Sequence, residues 1–368
     1  MEVATEALLA ELDRANVAFR RVDTGDPTDL LANRGRWSAH NVRLAARHLR
    51  VAARETWSRE VSTVYVPIAQ EFPALWRDLG FIAIARLARK PVVIHLHGGY
   101  FDTFYKSSGP FARLIIDRTV GKAAIGIVLT ERLRPSLECV LPGERVAVVE
   151  NGIRTSFDRV PNRIGRAGTI NVLFLSSLLP GKGIGVFLEA FALAASAQPE
   201  LRATVAGPWP SDAEERQIME RVEGLGLGGL VRFVGAVGDE GKTSVLADAD
   251  IFCFPSTYHF EGQPLVVIEA MAAALPVVAS TWRGISDTAV DGETALLVDD
   301  PTPEAVADKL VYLAERPAER HRLGMAGRRR YEQLYTQAAF GERIVALLGP
   351  FVDESKSTKH TRSAEARA

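Results

Sequence analysis

Along the chain, short runs of β-branched and other apolar residues alternate with longer stretches in which apolar residues recur roughly every three to four positions. In the first half the short runs are VAFRRVD, VSTVYVPI, PVVIHLHG, AAIGIVLT and RVAVVENG; in the second they are INVLFLSS, RATVAG, VRFVGA, DIFCFPS, PVVAS and ALLVDD. Strands that are apolar on both sides must be covered on both faces, and the helical stretches between them supply that cover. The pattern therefore predicts an α/β protein with parallel sheets. At 368 residues the chain exceeds what one core usually encloses, and two such sheets fit its length. The aperiodic stretch RTSFDRVPNRIGRAGT, residues 154–169, reads as the linker. These signals place one domain at 1–157, a second at 158–335, a helix at 336–352 returning toward the first, and a polar tail at 353–368 expected to be disordered. Helical period itself runs over 319–348. The start departs from the scheme: MEVATEALLAELDRA is already helical in period, whereas a doubly wound domain opens on a strand. The N-terminal domain is thus expected to lack its first strand and the turn after it, either because the chain is shortened or because Met1 is an internal methionine.

Composition narrows the function classes. A formal net charge of −1 argues against a general nucleic-acid binder, which needs a basic face. Two cysteines, Cys139 and Cys253, both in apolar surroundings, offer no disulfide framework and point to a reducing, cytoplasmic compartment. No signal peptide is evident, and no apolar run is long enough to span a bilayer. Charge is nevertheless unevenly spread, with seven arginines between Arg34 and Arg59. Arg43, Arg47, Arg50 and Arg54 fall at helical steps, with Val42, Ala46, Leu49 and Ala53 alongside and Trp37 and Trp57 near the ends. That face either lies on an anionic membrane surface or is simply solvated.

Three stretches carry chemistry. In HFEGQPLVVIEAMAAALPVVAS, residues 259–280, Pro264 suits a first helical position and 264–274 reads as helix. Glu261 then sits in the loop ahead of the helix and Glu269 in its second turn. The free N–H groups from Gly262 onward form an anion site, and Gly262 lets a ligand approach the backbone. Glycosidase carboxyls lie about 5 to 9.5 Å apart, whereas eight helical residues already separate backbones by about 12 Å. The spacing favours two acids gripping different parts of one elongated ligand. The alternative is a solvated loop acid and a polar-face acid, although Glu269, flanked by Val266, Val267, Ile268, Ala270 and Met271, needs a partner in so apolar a helix. Second, NVLFLSSLLPGKGIGVFLEAFALA is a strand, a loop with Gly181, Lys182, Gly183 and Gly185, and a helix, which suits a phosphate; an ordinary turn with an exposed lysine is the other reading. It is not a P-loop. Third, PVVIHLHGGYF is a buried strand ending in His95 and His97, with His97 nearer the crevice and His95 deeper on the same face, unless both are core histidines. GLGLGG, residues 224–229, follows a helix and precedes a strand, the reverse of a dinucleotide site. DAD, residues 248–250, reads as the lead-in to a strand rather than a metal pair, and no zinc spacing is present.

Together, EGQPLVVIEAMAAALPVVAS, LLPGKG, HLHGG, VVENGI, DIFCFPS and RGISDTAVDGETALLVDD resemble the retaining glycosyltransferases of family 4, with their E-x7-E signature and GT-B fold. The resemblance implies two Rossmann-like domains facing a central cleft. It also implies sugar transfer from a UDP- or GDP-linked donor to a glycan or lipid-linked acceptor, with no metal and no cofactor. Carried across, Glu261 contacts the sugar hydroxyls, Glu269 the ribose, and Lys182 the diphosphate. The backbone of Gly262, Gln263, Pro264 and Leu265 assists Lys182, with Gly183 and Asn151 also on the donor side and His97 beside the reacting centre. A role in polysaccharide or glycolipid assembly, peripheral on the inner face of the plasma membrane, follows from family association and the basic helix. Three positions depart from the family: Ser177 where an arginine is common, Asp287 for a glutamate, and Ala274 for a glycine. The rivals are a GT-B sugar-nucleotide epimerase and a non-catalytic nucleotide-binding protein.

Overall fold

The computed structural model describes residues 2–25, 39–157, 159–161 and 168–352. In chain order the first elements are α1 (Glu2–Arg14), α2 (Ala39–Thr56), β1 (Val64–Ile68), α3 (Ala74–Leu87), β2 (Val92–Leu96), α4 (Phe101–Ser107), α5 (Pro110–Thr119), β3 (Ile125–Val128), α6 (Pro135–Glu138) and β4 (Val146–Val148). There follow β5 (Ile170–Leu175), α7 (Ile184–Ala197), β6 (Leu201–Ala206), α8 (Asp212–Gly224), β7 (Val231–Gly235), α9 (Asp239–Asp248) and β8 (Ile251–Phe254). The series ends with α10 (Leu265–Ala272), β9 (Val277–Ser280), α11 (Ile285–Thr288), β10 (Ala295–Val298), α12 (Pro303–Ala314), α13 (Pro317–Arg330) and α14 (Gln337–Leu348). Two compact units result, Met1–Gly152 with Gln337–Ala368, and Ile153–Thr336.

In the first unit β1-β2-β3-β4 form a parallel sheet in that order. Alternation along β2 explains its unbroken apolar run. Val92, Ile94 and Leu96 point into a core with Leu75, Leu79 and Ile82 of α3. Val93 points the other way, into a core with Leu8 and Leu12 of α1 and Phe340 and Ile344 of α14. The run VAFRRVD, expected as a strand, pairs with no sheet. Its charged residues reach sideways instead: Arg20 binds Glu55 at 2.8 Å and also Glu60, and Arg21 binds Glu6.

The second unit holds a six-stranded parallel sheet ordered β10-β9-β8-β5-β6-β7. Its helices start on local signals: Ser211 accepts from Glu214 N–H ahead of α8, and Thr302 accepts from Ala305 N–H ahead of α12 with Pro303 next. The single helix expected over 319–348 is instead two. After α13 comes a π-helical turn, Tyr331–Tyr335, and Thr336 is extended. The chain straightens there because Ile153 N–H donates to Tyr335 O at 3.0 Å, in a parallel bridge between Ile153 and Thr336. DAD behaves as read, with Asp250 accepting the backbone N–H of Asn171 just before β8. Arg43, Arg47, Arg50 and Arg54 are exposed on α2, beside exposed Val42 and Trp57. No helix among the described residues is long and apolar enough to cross a membrane. Trp37 and the expected tail at 353–368 lie outside the described residues.

Candidate functional site

The order of the second sheet reverses between β5 and β8: from β5 the chain steps to β6 and β7 on one side, and from β8 to β9 and β10 on the other. In doubly wound sheets the ligand crevice opens at the carboxyl ends of the two strands that flank such a reversal. Beyond β5 runs the loop with Lys182, and beyond β8 the loop with Glu261. The two loops are stitched together, Thr257 N–H donating to Gly181 O at 3.0 Å. Gly183 has φ 90, and a Cβ there would lie 2.3 Å from Pro255 O, so only glycine allows the loops to close this tightly.

Closure places Lys182 Nζ 2.8 Å from Glu261 Oε2 and 3.1 Å from Oε1. Ser256 Oγ donates to the same carboxylate at 2.9 Å, and the Tyr258 ring lies 4.5 Å from the ammonium. Both side chains are largely out of water, at 16% and 6% exposure. The exposed lysine of the ordinary-turn reading is therefore not what the loop builds. Two helix N-termini flank the pair. The N–H groups of Ile184, Gly185 and Val186 at the start of α7, and of Leu265 and Val266 at the start of α10, have no acceptor within their own helices. Pro264 is the N-cap of α10 rather than its first helical residue, and the helix spans Leu265–Ala272 rather than 264–274. Gly262, Gln263 and Pro264 are buried in the loop ahead of it, and proline contributes no N–H to an anion. Far along α10, Arg328 Nη1 donates to Ala272 O and so fixes the helix end.

Glu269, in the second turn of α10, receives Lys242 of α9 on Oε1 at 2.8 Å. Its Oε2 is buried without a partner. Lys242 was not anticipated; the sequence showed only that the acid needed a partner.

In the first unit, the alternation of β2 sets His95 and His97 on one face with ring centroids 4.0 Å apart. His95 is fully buried, and its Nδ1 shares a 2.5 Å hydrogen bond with Tyr65 OH. Burial holds the His95 imidazole well below its usual range and thus neutral. Loss of water around His97, just past the strand, lowers it to about 4. A Cβ at Gly98 would lie 1.8 Å from Gln70 Nε2 and push that side chain aside, and Gln70 Oε1 accepts Tyr100 N–H. Tyr65 and Gln70 carried no sequence signal. Asn151, in the loop after β4, is buried. Among the described residues no three His, Cys, Asp or Glu side chains come together as metal ligands.

Two parallel-sheet α/β units define the GT-B class of fold. The structure of Anabaena HepE with UDP and glucose matches over 94% of this chain and 95% of its own, with TM-score 0.70 and 20% identity. Residues 160–330, which contain the loops of Lys182 and Glu261 and the helix of Glu269, match the family described as "Glycosyl transferases group 1". The "MMP alpha-(1->4)-mannosyltransferase" of Mycolicibacterium hassiacum is 30% identical over 290 residues, 78% of this chain and 64% of that protein. The phosphatidyl-myo-inositol mannosyltransferase of Mycobacterium leprae is 33% identical over 197 residues, 52% of this chain and 50% of that protein. The chain thus spans between half and two thirds of the length of these two relatives.

Proposed function

We propose that the chain is a retaining glycosyltransferase that moves a sugar from a UDP- or GDP-linked donor to a glycan or lipid-linked acceptor without a metal ion. The observation that carries this reading is the Lys182–Glu261 pair, set at the strand-order reversal between two helix N-termini. A donor sugar has hydroxyls for a carboxylate and a diphosphate for an ammonium, and this pair presents both groups side by side. Glu261 takes the sugar hydroxyls, and Lys182 with the N–H groups of Leu265 and Val266 takes the diphosphate. The unpartnered Oε2 of Glu269 takes a ribose hydroxyl. When the anomeric C–O bond breaks, its electron pair goes to the diphosphate, and preorganised donors aimed at that charge lower the barrier. The acceptor oxygen attacks the same face, and its proton passes to the departing phosphate oxygen. His97, neutral above about pH 4, serves as a hydrogen-bonding group and not as a cation. The relatives' names, two mannosyltransferases and a UDP complex, support the donor and acceptor classes. Arg43, Arg47, Arg50 and Arg54, exposed with Val42 and Trp57, would rest on an anionic, cytoplasm-facing membrane surface.

The test is thermal unfolding with UDP, GDP and ADP, each with and without EDTA. A ligand at about 100 times its Kd adds about 2.7 kcal/mol. Stabilisation by one nucleotide that persists in EDTA supports the reading, whereas stabilisation by none refutes it. Sedimentation with anionic vesicles that survives Arg47→Glu with Arg50→Glu would refute the membrane face.

A further inference from the structure

Four residues other than glycine have positive φ among those described: Asn16, Arg89, Ala274 and Arg283. The first three close helices. In each case the next N–H reaches back five positions, Val17 to Leu12, Lys90 to Ala85 and Leu275 to Ala270, each at 2.9 Å. A left-handed residue is an ordinary part of such a cap. Arg283, with φ 48, closes no helix. It lies just beyond β9, in a turn where Ile285 N–H donates to Trp282 O at 3.0 Å and Gly284 has φ −74 and ψ 0. The position before such a residue, when its φ is positive, is normally glycine. Here it is an arginine.

Its side chain is held as well as its backbone. Cζ lies 5.5 Å from the centroid of the Trp282 ring. Trp282 Nε1 donates to Tyr258 O at 2.8 Å, and the Tyr258 ring covers Lys182 Nζ. The guanidinium therefore sits beyond the carboxyl end of β9, linked to the Lys182–Glu261 pair through two aromatic residues, Trp282 and Tyr258. Charge gives it a task there. A nucleoside diphosphate brings at least two negative charges, while Lys182 is the only Lys or Arg in the loops 176–183 and 255–264, and its charge is offset by Glu261. The next loop along the same edge, after β9, carries Arg283. Backbone strain clusters at ligand-binding and catalytic sites, which makes the side chain of a strained non-glycine residue a candidate for a role there.

We propose that Arg283 is an anion-specificity residue of this site, its planar guanidinium taking a phosphate oxygen of the bound substrate. This rests on the nucleotide-sugar reading above. The phosphate belongs either to the donor's diphosphate or to a phosphorylated acceptor. Arg283→Gly separates binding from folding, because glycine relieves the turn. Ligand-free thermal unfolding should therefore occur a few degrees higher in that variant.

Calorimetric titration of the wild-type chain with UDP, GDP and ADP selects the nucleotide that binds. Arg283→Gly should then weaken one contact by about tenfold or more, with Arg283→Lys in between. Loss confined to the nucleoside diphosphate, with its monophosphate little changed, assigns the donor. Loss confined to glycerol 3-phosphate, titrated in the presence of saturating nucleotide, assigns the acceptor. Unchanged affinity for both, in a chain that binds nucleotide, overturns the role of Arg283 alone, and so does a variant less stable than wild type. A wild-type chain that binds none of the three nucleotides overturns the donor reading and this inference together.

Discussion

The Lys182–Glu261 pair makes a prediction that separates folding from binding. Removing one member of a buried ion pair strands the other and costs about 3–5 kcal/mol when both are fully out of water. Lys182 is 16% exposed, and Ser256 Oγ still serves Glu261, so the cost falls to the bottom of that range or just below it. Lys182→Met and Glu261→Gln should each destabilise the ligand-free chain by about 2–3 kcal/mol. In the double variant the amide keeps the Ser256 hydroxyl and no charge is stranded. Its cost should match one single change and not the sum, a coupling of about 2–3 kcal/mol. For a unit of this size each single should lower Tm by about 4–12 °C. Urea unfolding of the four chains measures the cycle, and additive singles would refute the coupling. Binding should split the pair differently. Lys182→Met should lose about 1.5–3 kcal/mol of nucleoside diphosphate affinity. Glu261→Gln should keep or gain it, since the carboxylate no longer opposes the anion, while losing affinity for the nucleotide-sugar. Equal losses of nucleoside diphosphate affinity in both variants would sink the division of roles.

His97, at about 4, and His95, also lowered by burial, stay neutral in the folded chain while the unfolded chain protonates them near 6.5. The unfolded state therefore binds more protons between about pH 6.5 and 4, and stability should fall as pH drops through that window, by at most about 3 kcal/mol for His97. Asp78, whose carboxyl burial raises, opposes the trend at the acid end. Urea midpoints at pH 7, 6 and 5 should show the slope, and His97→Asn should flatten it; an unaltered slope would exclude His97 as its source. Ala274→Gly, at φ 54 in the cap of α10, should stabilise the chain by about 1 kcal/mol, read as a raised Tm, and a lowered Tm would show that the cap tolerates alanine without strain. Glu269→Gln should weaken nucleotide binding about tenfold with less than about 1 kcal/mol lost from the ligand-free fold, and a larger fall in stability than in binding would make Glu269 structural.

What was legible in the sequence and what was not divides along a physical line. The central second-half strands show as apolar runs because they are covered on both faces, as in IFCF of β8, buried along its whole length, whereas the edge strand β7 exposes Arg232. VAFRRVD misleads because the partners of Arg20 and Arg21 lie on other elements, at Glu55, Glu60 and Glu6, and no local window contains them. The break at Thr336 is invisible for the same reason, since its cause is Ile153. The site follows suit. Lys182 and Glu261 each stand out, one among glycines and the other before an apolar helix, yet they are 79 residues apart and meet only because the strand order reverses between β5 and β8. Periodicity reports which faces are buried and says nothing of strand order. Glu269 reveals by its apolar flanks that it needs a partner, and the packing of α9 makes that partner Lys242. Arg283 is the extreme case: within TWRGISDT it reads as one loop cation among many, and only a backbone angle that arginine normally avoids sets it apart. A residue's chemistry is local, but the geometry that turns chemistry into a site is set by the whole sheet.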